Sequence, residues 1–98
     1  MQQVTNNRSE QEYVLDVEGE RAVAAYQIEG DRIVFTHTVV PVAVEGRGIG
    51  SRLVRGALDD ARDRGLKVVP QCRFFRAYMK KHPETRDLLD PGSAELLD

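Results

Sequence analysis

The chain holds a single cysteine, Cys72, which excludes an internal disulfide and any metal site built on clustered thiolates. Its two histidines, His37 and His82, are far apart and lack the short spacing of a helical metal pair, so no metal site is expected. No apolar run is long enough to span a bilayer. The polar start Met1-Gln2-Gln3-Val4-Thr5-Asn6-Asn7 has no apolar segment of the kind a signal peptide needs. The cytoplasm is therefore the expected compartment, with no membrane partner. A net charge of −2 supplies no basic field, so no nucleic-acid partner is expected either. What remains is a mixed, ordinary composition over 98 residues, the size of one domain with one core.

The most informative stretch is Val39-Val40-Pro41-Val42-Ala43-Val44-Glu45-Gly46-Arg47-Gly48-Ile49-Gly50-Ser51-Arg52-Leu53. An apolar run leads into three glycines at alternate positions, and an amphipathic helix starts behind them. A strand, a glycine-rich turn and a helix N-terminus bring unpaired backbone N–H groups onto one point, where the helix dipole favours an anion. The glycines stand at positions 46, 48 and 50, which does not fit the dinucleotide spacing G-x-G-x-x-G. Gly50 is followed by Ser51-Arg52, not by the Lys-Ser or Lys-Thr of a P-loop. Arg47, Arg52 and Arg55 lie close by, either as counter-charge for phosphates or as a solvated helix face.

Along the chain, residues 1–10 are polar and read as a flexible tail. Tyr13, Leu15 and Val17 alternate with polar neighbours and predict a half-buried strand. Ala22 to Ile28 and Ile33 to Val40 predict two more, joined by the turns at Gly19 and Gly30, which makes an antiparallel meander. Strict alternation on the third strand puts Ile33, Phe35, His37 and Val39 on one face. Leu53, Val54, Ala57, Leu58 and Ala61 form the apolar stripe of a helix that Gly65 ends, with Asp60 and Arg64 as an i,i+4 pair. Leu66 to Val69 is a further short strand, parallel to the third because a helix connects the two. Phe74 to Lys81 predicts a second helix, with Phe74, Phe75, Tyr78 and Met79 on its apolar side, that stops before Pro83. Residues 91–98 read as a C-terminal tail, leaving 11–90 as a single domain.

Pro41 and Pro70 sit near the carboxyl ends of the two strands that flank the first helix. Neither can donate a ladder hydrogen bond, so the pair is expected to part there. A crevice outside the carboxyl ends of parallel strands is where ligands of open α/β sheets bind. Free backbone groups at Val39 to Val42 are then available to an extended ligand that carries amides.

Arg47-Gly48-Ile49-Gly50-Ser51-Arg52-Leu53-Val54 resembles the acyl-CoA loop of the GNAT acetyltransferase superfamily, Gln/Arg-x-x-Gly-x-Gly/Ala, with Glu45 at the Gln/Arg position. His37-Thr38-x-Val40, Pro70-x-Cys72 and Tyr78-x-x-x-His82-Pro83-Glu84 resemble a short single-domain branch of that superfamily. The resemblance covers about Tyr13 to Leu89. It implies a minimal α/β (α+β) fold: a three-strand antiparallel meander, then helix, parallel strand and C-terminal helix, with splayed strands around a coenzyme A cleft. It implies acetyl-CoA as cosubstrate and transfer of an acetyl group to an amine. Pantetheine would lie along Val39, Val40 and Val42. The pyrophosphate would sit on Gly46, Arg47, Gly48, Ile49, Gly50, Ser51 and Arg52. The chain is too short for the parts that shape the acceptor site in longer relatives, so the acceptor stays open between a small molecule and a protein.

Three side chains are candidates for the chemistry. Cys72 falls at the expected N-terminus of the last helix beside Arg73 and Arg76, a setting that favours thiolate. It is read as a nucleophile or a base, or else as a small buried residue. Tyr78 occupies the place where the resemblance implies an acid for the leaving thiolate, and core packing is its other reading. His37 suits general-base work or a satisfied, partly buried site. Two functions from different classes stay open: an acetyl-CoA-dependent N-acetyltransferase, and a CoA-binding module without efficient catalysis. A small α/β protein that binds another phosphate ligand is a third.

Overall fold

The computed structural model describes residues 3–97. Met1, Gln2 and Asp98, which belong to the two expected tails, lie outside the described residues. Five strands form one sheet in the order β1-β2-β3-β4-β5, with β1 Thr5–Asn7, β2 Glu12–Val17, β3 Glu20–Glu29, β4 Arg32–Val39 and β5 Lys67–Pro70. The first three pairings are antiparallel, and β4 pairs with β5 in parallel across the helix α1, Ile49–Asp63. A second helix, α2, spans Arg73–Lys81, and 3₁₀ turns follow at Pro83–Leu88 and Pro91–Leu97. Among the described residues no helix is long and apolar enough to cross a membrane.

The meander has one strand more than its hydrophobic pattern predicts. Thr5–Asn7, assigned above to a polar tail, pairs with β2. Its side chains carry no alternating apolar signal, so its place comes from the backbone edge of β2 and from Val4. The Val4 side chain lies over Gly56 of α1, where an added Cβ would meet Val4 Cγ2 at 2.5 Å. That contact accounts for a glycine in mid-helix, which otherwise costs ~1 kcal/mol against alanine. The C-terminal stretch is also structured: its 3₁₀ turn buries Ser93, and Leu97 packs on the core.

Both helices lie on one face of the sheet. Leu53, Val54, Ala57, Leu58 and Ala61 of α1 are buried against Tyr13, Leu15, Ala24 and Tyr26. On α2 only Phe75 and Met79 are fully buried, and the Phe75 ring stacks on Phe35 with centroids 3.9 Å apart. Phe74 and Tyr78, expected on the same apolar side, turn instead toward the start of α1, where both line a small pocket with Gly50 and Ser51. Gly65 ends α1 as anticipated: its own N–H reaches the Arg62 carbonyl, and Leu66 N–H reaches the Ala61 carbonyl.

One polar contact ties the meander to the helix layer. The Tyr13 hydroxyl donates to Asp60 Oδ2 at 2.5 Å, and Arg64 flanks the same carboxylate at 3.5 Å. Burial, and then the neighbouring carboxylate, push the Tyr13 hydroxyl well above the ordinary tyrosine value of 10.0. The neutral phenol is the form the fold favours. Its contribution is therefore complete below pH 10.0 and falls away above it, as the unfolded chain ionises first.

Two outcomes follow, both read by urea denaturation. Gly56→Ala lowers stability in the wild-type chain, but raises it by ~1 kcal/mol in a Val4→Gly background, where the helix preference for alanine is no longer opposed. Tyr13→Phe is less stable at neutral pH, yet its stability declines less steeply than that of the wild type above pH 10.0.

Candidate acyl-CoA cleft

Two irregularities in the backbone build the site. The first is a β-bulge. Tyr26 pairs with Phe35, but Ala25 pairs with His37, so Thr36 is an extra residue on β4. Its hydroxyl donates to the Ala25 carbonyl at 3.3 Å. One inserted residue reverses which face each later side chain takes. Strict alternation placed His37 and Val39 with Phe35; the bulge turns both to the opposite face, where they are exposed. Thr38 instead pairs with the buried Ala24 and points toward the helices, and Val40 packs on the core.

The second irregularity ends the parallel ladder. Pairing of β4 with β5 runs from Arg32↔Lys67 to Phe35↔Pro70 and stops, while β4 continues through Thr36 to Val39. The strands part where expected, for a different reason. Lys67 N–H donates to the Asp31 carbonyl just before β4, and the Val68 carbonyl accepts from Asp90 N–H on the other side. By that alternation the Pro70 nitrogen faces the outer edge and takes nothing from the ladder. The break comes one residue later. Gln71 N–H turns back to the Val69 carbonyl, and Cys72 N–H takes the Phe35 carbonyl at 3.0 Å. Pro41 ends β4 and opens the 3₁₀ turn Val42–Val44 by accepting from Val44 N–H.

Between the released edge of β4 and the start of α1 lies a cleft of about 610 Å³. Of the residues assigned above to a CoA site, Val39, Val40, Gly46, Gly48, Ile49, Gly50 and Ser51 line it. Gly48 is the N-cap of α1 in the left-handed conformation (φ 72°), and no side chain caps the helix. The first turn of α1 carries no acidic residue, so its N–H groups present a positive end toward the cleft.

Three expected contacts lie elsewhere. Val42 is 82% exposed and does not line the cleft. Arg47 is ion-paired with Glu18 of the β2–β3 turn. Arg52 lines a separate surface hollow with Arg55 and Asp59. Glu45, at the Gln/Arg position of the loop pattern, is exposed at the cleft rim. Thr38, Val44, Arg73 and Phe74 complete the lining. Sequence pattern missed Thr38 because the bulge that turns it inward leaves no hydrophobic signature. Phe74 was assigned to the core, and its exposure of 37% is the structural sign that it belongs to the cleft wall.

The three candidate chemical groups are not gathered together. Cys72 and His37 line a shallow pocket of about 310 Å³ with Thr36, Gln71 and Arg76, and this pocket shares Thr38, Arg73 and Phe74 with the main cleft. Cys72 is the N-cap of α2 and 5% exposed, and its Sγ lies 3.1 Å from Thr38 Oγ1. His37 Nδ1 is 3.4 Å from the Thr36 hydroxyl. Tyr78 lies on the other side of Phe74, where its ring stacks on His82 with centroids 4.1 Å apart, and it does not line the Cys72 pocket. Burial raises the Tyr78 hydroxyl above its ordinary range. His82 Nδ1 is 3.3 Å from Glu84, at the end of α2 as anticipated. A concavity larger than the main cleft, about 750 Å³, opens beyond Tyr78 and His82 between α1 and the Pro83–Leu88 turn.

A cleft at the carboxyl end of a parted parallel pair, closed by an uncapped helix start behind a glycine loop, suits an extended anionic ligand. The chain belongs to the GCN5-related N-acetyltransferase family, whose model matches residues 12–88. The protein named NATD1 from Gallus gallus is 37% identical over 84 residues, which span 83% of this chain and 76% of that protein. Its namesakes from Homo sapiens and Mus musculus are each 36% identical over 83 residues, covering 82% of this chain and 74% and 76% of theirs.

The glycine loop can be tested without any ligand. A Cβ on Gly48 would meet nothing within 4 Å, so substitution there acts only through the backbone. Gly48→Ala is expected to lose ~1–2 kcal/mol in denaturant unfolding, and Gly48→Asn clearly less, because asparagine tolerates the left-handed region.

Proposed function

We propose that this protein is an acetyl-CoA-dependent N-acetyltransferase that moves an acetyl group to an amine on a small molecule or an exposed protein group. The observation that carries this reading is the continuity of the main cleft with the Cys72 pocket. An anion-binding helix start lies at one end, a free strand edge runs along the middle with Arg73 beside it, and a thiol, an imidazole and the Arg76 guanidinium stand at the other end.

In this reading Ile49, Gly50 and Ser51 hold the pyrophosphate through backbone N–H groups, with Arg73 across the cleft as counter-charge. The edge of β4 from Thr38 to Val40 pairs with the amides of pantetheine. The apolar faces of Val40 and Phe74 exclude water along it. The groove past Phe74, lined by Ala77, Lys81 and His82, takes the adenosine end. The reacting thioester then lies at the Cys72 pocket. His37, exposed on the outer face of β4, is placed to remove a proton from an amine that arrives from solvent. Cys72 either takes the acetyl group from the thioester, its thiol proton leaving with the CoA thiolate, and then passes the acetyl group to the amine and regains a proton, or it only lines the site while the CoA thiolate leaves directly. A backbone N–H of β4 serves the oxyanion.

Tyr78 has no place in this chemistry, since it lies on the adenosine side of Phe74. Its separation from Cys72 favours the second reading, a CoA-binding module that turns over little or nothing. Two measurements decide. At ~100 times its dissociation constant CoA should add ~2.7 kcal/mol of stability. A screen of acetyl-CoA turnover over amines and peptides should then find an acceptor, with Cys72→Ala slower and Tyr78→Phe close to the wild type. A shift with CoA but no turnover on any amine selects the binding module. A shift with other nucleotides and none with CoA contradicts both.

A further inference from the structure

We propose that Thr38 is a positioning residue for Cys72: its hydroxyl fixes the thiol and donates to it once it ionises. This builds on the reading that Cys72 works at the acyl end of the cleft. Cys72 occupies the N-cap of α2, where a short polar side chain ordinarily bonds the N–H groups of the first turn, yet it makes no such cap. Both of its backbone groups are engaged, the N–H with the Phe35 carbonyl and the carbonyl with Arg76 N–H. Only rotation about χ1 is left to place the sulfur. The partner at 3.1 Å is Thr38 Oγ1, on a β-branched side chain that is itself stiff at χ1.

Thr38 reaches the thiol only because Thr36 bulges. Without that extra residue, β4 would turn His37 toward the helices and Thr38 away from them. The contact suits both states of the sulfur. A neutral thiol is a weak donor and can give its proton to Oγ1. A thiolate only accepts, so the hydroxyl must then rotate and donate, and a hydrogen bond to the charged form favours that form. The titratable or charged groups facing the same pocket are His37 from β4 and Arg73 and Arg76 from α2; α1 contributes none to it. Thr38 adds an uncharged donor that salt does not screen.

The chain has one cysteine, so ultraviolet thiolate absorbance, with Cys72→Ala as the blank, follows this sulfur alone. Thr38→Val keeps the branched shape and removes the hydroxyl. Its titration midpoint should rise by about one pH unit, the size expected for a lost hydrogen bond to a charged group. Alkylation by iodoacetamide at neutral pH should slow several-fold. Thr38→Ser, which keeps the hydroxyl, should titrate like the wild type. A Thr38→Val midpoint equal to that of the wild type overturns the proposal. So does a Thr38→Ser midpoint displaced as far as that of Thr38→Val, since packing would then be the cause. The titration needs no CoA, so failure of the wild type to bind or turn over acetyl-CoA is read separately.

Discussion

Cys72 N–H donates to the Phe35 carbonyl at 3.0 Å, and most of the site depends on that bond. A regular parallel ladder would give this carbonyl to Gln71. Passing it to the next residue swings the chain out of the sheet and starts α2 at Cys72. Three consequences follow. The edge of β4 beyond Phe35 loses its neighbour. The thiol is delivered beside Thr38. Phe75, three residues into α2, drops onto the Phe35 ring and locks the helix where the bond placed it. The geometry of the opening is thereby anchored in the core, at two of its best-buried side chains.

The bulge at Thr36 and the glycine loop act on the two ends of that opening. The bulge decides which side chains at the end of β4 turn toward the helices, exchanging His37 and Val39 for Thr38 and, just past the strand, Val40. The loop decides where the positive end of α1 points, because Gly48 takes the left-handed conformation from which the helix begins. Neither irregularity alone makes a binding site. A bulged strand with a closed edge has nothing to offer an extended ligand, and a helix start with no neighbouring free edge binds only a small anion. Here they stand on either side of one cleft.

Much of the fold was legible in the chain because it rests on periodicity. The stripe from Leu53 to Ala61, the alternation from Tyr13 to Val17 and the turns at Gly19 and Gly30 each report a half-buried element directly. What escaped is what periodicity does not encode. β1 is polar and held by the edge of β2 and by Val4 in the hollow over Gly56. The bulge leaves no mark on the hydrophobic pattern, so alternation carried straight through it and put His37 on the wrong face. For the site, the position of the cleft at Gly46, Gly48, Ile49, Gly50 and Ser51 was readable, since the glycine loop and the helix start behind it are explicit in the chain. Side-chain contacts were less so. Arg47 pairs with Glu18, which is distant in sequence, and Tyr78 follows the helix face that meets the start of α1, away from Cys72. Proline pointed to the parting of the strands by an incomplete route: Pro70 marks the end of β5, but the hydrogen bonds of Gln71 and Cys72 open it.

The central claim is that the released edge of β4 and the start of α1 form one ligand site. Amide chemical-shift mapping during a CoA titration tests it residue by residue. The account predicts that the largest shifts fall on Gly46 to Ser51 and on Thr36 to Val40, with smaller ones at Arg73 and Phe74. Shifts confined to the concavity around Arg62, Glu84 and Asp87, with the glycine loop and β4 unmoved, would contradict it.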